Sequence, residues 1–291
     1  MQNASPFIGC QFLRAEQGLG SGRFEIGRWQ FRESIRGANY REELRIQFGE
    51  SSMALPLVQQ QPTLPWGGDM PSASGDILAG YLHLREISNR LHEEVLKFIS
   101  GDTLLKHARR LGLAQGKTLI LDDMDEMYYV YDLAIYTAPA DRSRAIDRYA
   151  RSVRFEPQSD ERLMLDAMRA SQFAILLIEQ RHDAAGLIAT DILRNSKVWL
   201  LDIGLESSIG DGELIATRLL TPGPFSMTAG ANVPFEIEML EPICTLLPRR
   251  MGNSKLSGIA DDRRFAEAVY RVGLADGVMD RLAYLDLPDR A

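Results

Sequence analysis

Cysteine is almost missing from this chain of 291 residues, which has only Cys10 and Cys244. Neither has a CxxC companion and they lie near opposite ends of the sequence. That excludes a disulfide framework and a cysteine-based zinc site. Histidine is nearly as scarce, with His83, His92, His107 and His182 alone. No HExxH motif is present, and His83 and His92 are spaced to point to opposite sides of one helix. Each of the four is expected at the surface or partly buried, and no metal site or cofactor is expected. Long apolar runs are missing too. The longest, Phe173–Ile178, has six residues, whereas a membrane-spanning helix needs about 20. Met1–Cys10 lacks a basic stretch followed by an apolar one, so no secretory leader is expected. These absences point to a soluble, cytoplasmic protein. Lysine is the last scarcity: Lys97, Lys106, Lys117, Lys197 and Lys255 are the only five among 33 basic residues. The arginines that replace it are spread along the chain rather than clustered.

What is present is the composition of an ordinary globular protein, 45% apolar and 25% charged. The net charge of −7 disfavours nucleic acid and acidic membranes as partners, since both call for concentrated cations. A small molecule, another protein or a second copy of the chain remain as partners. The charge is uneven. Residues 1–52 hold seven Arg and six Glu, and residues 53–75 hold one Asp and four Pro. The whole excess of acid therefore belongs to residues 76–291. Proline at that density blocks helix and central strand alike, so residues 1–75 are expected to form a flexible arm. Met53 opens its Pro-rich part, and residues 1–52 are open to being an upstream mis-start.

After the arm the hydrophobic spacing changes twice. Ile77, Tyr81, Leu84, Leu91, Val95 and Phe98 fall at helical spacing, which predicts an amphipathic helix ended by Gly101. Asp102 is placed to cap a second helix, Thr103–Leu111, closed by Gly112. A third is expected over Leu119–Tyr136 and a fourth over Ser159–Ser171. From Phe173 onward the lengths become strand-like: Phe173–Glu179, Ala185–Leu193, Lys197–Ile203, Glu213–Leu220 and Phe225–Phe235, separated by turn signals. Glu213–Leu220 also fits a short helix. Residues 237–260 are ambiguous, and a last helix starts at Asp261 or Asp262. The expected class is α+β: a helical region over 76–171, a small antiparallel β-barrel or sheet over 172–236, and a C-terminal helical tail over 237–291 packed on the same unit.

Several segments imitate catalytic motifs. Gly116-Lys117-Thr118 has Leu111 at the position where a phosphate-binding loop needs its first glycine, Gly112 leaves a gap of only three residues, and no strand is expected before it. Ala108–Leu113 has the flavour of a helix-turn-helix turn, but the acidic element after it would repel phosphates. Ile120–Asp125 imitates the paired-aspartate motif of haloacid-dehalogenase-like phosphatases, in which one carboxylate attacks phosphorus beside Mg²⁺. Asp122, Asp123 and Asp125 are thus the candidate residues of a metal-dependent phosphohydrolase. No alternating strand–helix pattern surrounds them. A helix with Met124, Met127, Tyr128, Tyr131 and Ile135 inward and Asp122, Asp125, Glu126 and Asp132 in solvent accounts for them better. Asp191 and Asp202 end two apolar strands in parallel phrases, TDIL and LDIG. They either bond turn amides or line a site at the mouth of the barrel, with Arg218 as partner to one of them. Asp191, Asp202 and Arg218 are the candidate ligand-binding residues.

The order DLAIY, IDRYARS, LLIEQRHDAAGLIATDIL, VWLLDIGLESSIGDGELIATRLL, FSMTAGANVP resembles a family of uncharacterised bacterial proteins. The β part is more loosely similar to the small β modules of proteins with SEC-C-type metal-binding tails. That tail is absent here, so no zinc role carries over, and neither resemblance implies an activity. The leading expectation is a non-enzymatic binding or regulatory module. A structural or assembly protein, with an interface built on Tyr128, Tyr129, Tyr131 and Tyr136, is the first alternative, and the phosphohydrolase is the second.

Overall fold

A computed structural model describes residues 29–31, 74–121, 125–247, 259–260, 262–275 and 282–284. The expected arm over 1–75 and the mis-start at 1–52 therefore lie almost wholly outside the described residues. Within the arm, Trp29–Phe31 (β1) pairs antiparallel with Leu282–Tyr284 (β9).

Helix α1 (Ser74–Leu96) buries Tyr81, Ile87, Leu91 and Val95 along one stripe and closes with three i→i+3 turns through Ile99. Helix α2 (Gly101–Leu111) is capped by Ser100, whose hydroxyl accepts from the Thr103 amide, rather than by Asp102. It ends in a Schellman turn. Gly112 adopts φ +85°, and the amides of Gly112 and Leu113 return to the carbonyls of Arg109 and Ala108. A tight hairpin follows, β2 (Ala114–Gln115) with β3 (Thr118–Leu119). Leu119, the expected start of the next helix, is strand instead, and the described helix, α3, covers Asp125–Tyr136. Two short helices complete the layer: α4 (Ala145–Ser152), only eight residues long, and α5 (Asp160–Arg169), capped by the Ser159 hydroxyl.

The strands follow the expected runs closely. β4 (Gln172–Arg181), β5 (Leu187–Asp191), β6 (Ser196–Leu200), β7 (Leu214–Leu220) and β8 (Met227–Phe235) form one sheet in the order β6-β5-β4-β7-β8, antiparallel throughout. Glu213–Leu220 is strand, not helix. The run ending at Ile203 breaks at Leu200, because Asp202 caps a one-turn helix, α6 (Ile203–Glu206). Central strand β4 is buried on both faces. Phe173, Ile175 and Leu177 join a core with α2 and α3, while Ala174, Leu176 and Ile178 join a second core inside the curl of the sheet. Burial of both faces is why the run reads as uninterrupted hydrophobics.

The sheet curls but does not close into a barrel. Irregularities at Ile178/Gln180 and Thr217/Leu219 bend it. Its two edges meet at one corner, where Ser226 donates to the Trp199 carbonyl and accepts from the Leu201 amide at 2.7 and 2.8 Å. Gly186 sits at that corner with φ +80°, where a Cβ would collide with the Leu200 carbonyl oxygen. After a 3₁₀ turn, α7 (Leu240–Leu246) leads towards α8 (Phe265–Ala275), which packs on α2, α3, α7 and β8. A side chain at Gly273 would meet Val233 of β8 at 2.9 Å, so helix and strand touch closely there. No helix among the described residues is long and apolar enough to cross a membrane.

Helices α1 and α3 are tied by a buried histidine rather than a surface one. His92 Nδ1 lies 2.7 Å from the Ser88 carbonyl, which only accepts, so Nδ1 carries the proton. Nε2 then accepts from the Tyr136 hydroxyl at 2.8 Å. Burial holds His92 neutral, with its pKa pushed down from 6.5 to about 4. A depressed histidine pKa means that the unfolded chain binds the extra proton first. Stability is therefore complete above pH 6.5 and falls as pH drops towards 4, by about 3 kcal/mol for this group. Urea unfolding across pH 7.5 to 4.5 should show that fall, and His92→Gln should remove about one proton from its slope. An unchanged slope in the variant would contradict the role given to His92.

Candidate functional site

The structure does not bring Asp191, Asp202 and Arg218 together. Each is committed to a different buried contact. Arg218 lies on the face of β7 that also carries Leu214 and Ala216, opposite Phe173 of β4. It does not meet either of the two aspartates. Its Nε and Nη2 donate to both carboxylate oxygens of Asp132 of α3, at 2.7 and 2.9 Å. Arg218 is 6% exposed and Asp132 5%. Asp132 therefore faces the interior, not solvent. The guanidinium also lies 4.6 Å from the ring centre of Tyr136 and 5.5 Å from that of Phe173. Burial alone would lower the arginine pKa, but the charge and hydrogen bonds of Asp132 outweigh it and raise it. Burial and the same carboxylate raise the Tyr270 hydroxyl well above its ordinary value.

Asp202 serves α6 and α1. One oxygen accepts from the Leu205 amide as a helix cap. The other accepts from Arg85 at 2.9 Å and from the Thr228 hydroxyl at 2.5 Å. Arg85 reaches on to the Thr228 carbonyl and the Tyr81 hydroxyl. Asp191 bonds turn amides, as one of its two expected roles requires. Its Oδ1 accepts from Leu193 and Arg194 and its Oδ2 from the Arg194 guanidinium. All three residues thus pin helices or turns to the sheet.

The candidate phosphohydrolase residues give no active site among the described residues. Asp122 and Asp123 lie outside them, and Asp125 opens α3, its side chain outside them too. The sheet is antiparallel, not the doubly wound parallel sheet of the enzymes that the motif imitates. No group of three or more His, Cys, Asp or Glu among the described residues could hold a metal ion. Two of the four tyrosines of the expected interface are core. Tyr129 stacks on Tyr270 at 4.5 Å, Tyr136 is buried, and only Tyr128 and Tyr131 are half-buried.

A different place carries exposed charge. A cleft of about 870 Å³ lies between α2, the 137–148 segment and the start of α8. Helix α2 contributes Lys106, His107 and Arg110, which share a flank one turn long. The second wall begins where α3 stops: Thr137 turns its hydroxyl back to the Leu133 carbonyl and Pro139 follows. Arg142 stands in that loop. Arg148 folds back over it, donating to the carbonyls of Ser143 at 2.7 Å and Phe98 at 3.1 Å. The third wall is Arg263, Arg264 and Glu267.

Six cations line this cleft against two carboxylates, Asp102 and Glu267, in a chain whose net charge is −7. Glu267 is taken by Arg110 at 3.1 Å, and Arg264 by the neighbouring Asp262 at 2.9 Å. Lys106, Arg142 and Arg263 are exposed and form no ion pair among the described residues. His107 is buried in the α2 wall, its Nδ1 without a hydrogen-bond partner among the described residues. Burial, then Arg110 and Lys106, push its pKa down to about 4. Sequence reading missed this cluster because its members come from three distant stretches. The doublets Arg109-Arg110 and Arg263-Arg264 were the only local signal.

The model of a family of unknown function (DUF7986) matches residues 76–279. No curated protein and no solved structure matches the chain.

The buried pair yields a direct prediction. Arg218→Met and Asp132→Leu should each cost about 3–5 kcal/mol in urea unfolding, because each strands a buried charge. The double variant should cost less than the sum by about 2 kcal/mol or more. Additive losses below about 1 kcal/mol each would show that the pair does not anchor the sheet.

Proposed function

The chain belongs to DUF7986, a family of unknown function, and we propose that it is a non-enzymatic binding module that holds an anionic ligand in the cleft between α2, the 137–148 segment and α8. One observation carries this reading. Lys106, Arg142 and Arg263 gather around one concavity and form no ion pair among the described residues, in a chain that is otherwise acidic. Exposed like charges gathered in one place repel each other, and a bound anion relieves that repulsion. Walls of low dielectric strengthen the attraction for it. The volume lies within the range of small-molecule sites, about 300–1,000 Å³.

Holding fits the cleft better than transforming. Its one histidine is withdrawn into the wall and neutral, and its exposed groups are chiefly permanent cations. These suit charge recognition rather than proton transfer near neutral pH. The sheet and its buried ion pairs act as the scaffold. A cytoplasmic setting, where small anionic metabolites abound, is part of the proposal.

The test uses the full chain and calorimetric titration with citrate and with tripolyphosphate. At least one should bind saturably, and Arg142→Glu combined with Arg263→Glu should weaken it by more than tenfold. Both side chains are exposed, so the fold should survive. Arg154→Glu, an exposed change outside the cleft, should leave binding within about twofold. No saturable binding, or binding indifferent to the double reversal, refutes the reading.

A further inference from the structure

Resting on that reading of the cleft, we infer that its ligand class is a short chain of adjacent phosphate groups, such as a di- or triphosphate, rather than a single phosphate, a carboxylate or a nucleic acid strand. The first support is the balance of charge. Once the Arg110–Glu267 and Arg264–Asp262 pairs are set aside, four cations of the lining form no ion pair among the described residues: Lys106, Arg142, Arg148 and Arg263. One acid, Asp102, remains against them. A net surplus of three is more than one phosphate dianion neutralises, and close to the charge of two or three joined phosphates.

The second support is the identity and placement of the cations. Three of the four are arginines, whose planar forks bind pairs of oxygens. Arg142 and Arg148 stand on the wall formed by the 137–148 segment and Arg263 on the wall at the start of α8, so they approach a ligand from two sides. A phosphate presents oxygens tetrahedrally and can meet forks from several sides. A carboxylate offers one plane. Arg148 is already held by two backbone carbonyls that fix its position and leave its charge unneutralised, so little ordering is needed when an anion arrives.

The third support is the acidity of the rest of the chain. Residues 76–291 carry the whole net charge of −7. A nucleic acid strand long enough to leave the cleft would meet that field and be repelled. A ligand confined to about 870 Å³ escapes it. Ala134, Ala138 and Pro139 supply an apolar stretch of lining against which a non-phosphate body could rest.

Calorimetric titration of the full chain at constant ionic strength tests this with phosphate, pyrophosphate, tripolyphosphate, citrate, adenosine triphosphate and a single-stranded oligonucleotide. Affinity should rise at least tenfold from phosphate to tripolyphosphate, and tripolyphosphate should exceed citrate at least tenfold. Arg142→Ala should shrink the preference for tripolyphosphate over phosphate. Adenosine triphosphate binding more tightly than tripolyphosphate would support the assignment and give a nucleotide as the source. The reverse order would support it and give an inorganic chain. Citrate equal to tripolyphosphate would overturn the phosphate assignment and leave the anion cleft standing. An oligonucleotide binding more tightly than either would overturn it in favour of a polymer. Saturable binding by none of the probes would overturn the cleft itself.

Discussion

Two opposite charges buried beneath a helix set the architecture. The Asp132 carboxylate and the Arg218 guanidinium are both removed from water and joined by two hydrogen bonds. Such a pair gains little over a well-packed apolar pair, but it tolerates very little displacement, because a stranded charge in the interior is costly. It therefore fixes how α3 lies on β7. Tyr136, Phe173 and Tyr270 complete the enclosure around it. A second buried pair, Arg85 with Asp202, fixes α1 and the one-turn helix α6 against Thr228. The two pairs, with His92 between α1 and α3, connect helices and sheet by polar contacts of defined geometry where apolar packing alone would leave sliding room.

That rigidity reaches the surface. Helix α3 ends at Tyr136, one turn beyond Asp132, and the 137–148 segment starts there. With α3 pinned, the loop carrying Arg142 leaves the body from a fixed point. Arg148 then ties α4 back to the end of α1, and the Arg110–Glu267 pair ties α2 to α8. The buried charges position the walls, and the exposed charges face the space between them.

Much of the fold was legible in the sequence. The five main strands showed as short apolar runs between turn signals, because β4 and β7 are covered on both faces and their neighbours have clear turns at their ends. The first two helices showed through their apolar spacing and the Gly112 stop. The misses have physical causes. Helix α4 has a stripe of three residues, Ala145, Ile146 and Tyr149, too short to register as a period. The third helix was expected from Leu119, which instead closes the short β2–β3 hairpin, because an apolar stretch that ends a hairpin and one that opens a helix look alike in sequence. The barrel stayed open because only one corner of the sheet, at Ser226, meets its far edge.

The candidate site was less legible. Asp191, Asp202 and Arg218 were recognisable as polar residues in apolar surroundings, and that is what they are. Their partners were not, since Arg218 and Asp132 are 86 positions apart and Asp132 follows a run of other acids in the sequence. The cleft depends on three segments meeting in space, which no local pattern records. On the function proposed for the cleft, buried charges hold the fold while exposed ones bind the ligand. Hydrogen–deuterium exchange of the full chain with and without tripolyphosphate tests it most directly. Protection should rise over residues 100–110, 137–148 and 262–267 and stay unchanged around Asp191, Asp202 and Arg218. Protection centred on those three residues instead, with the cleft unaffected, would contradict the account.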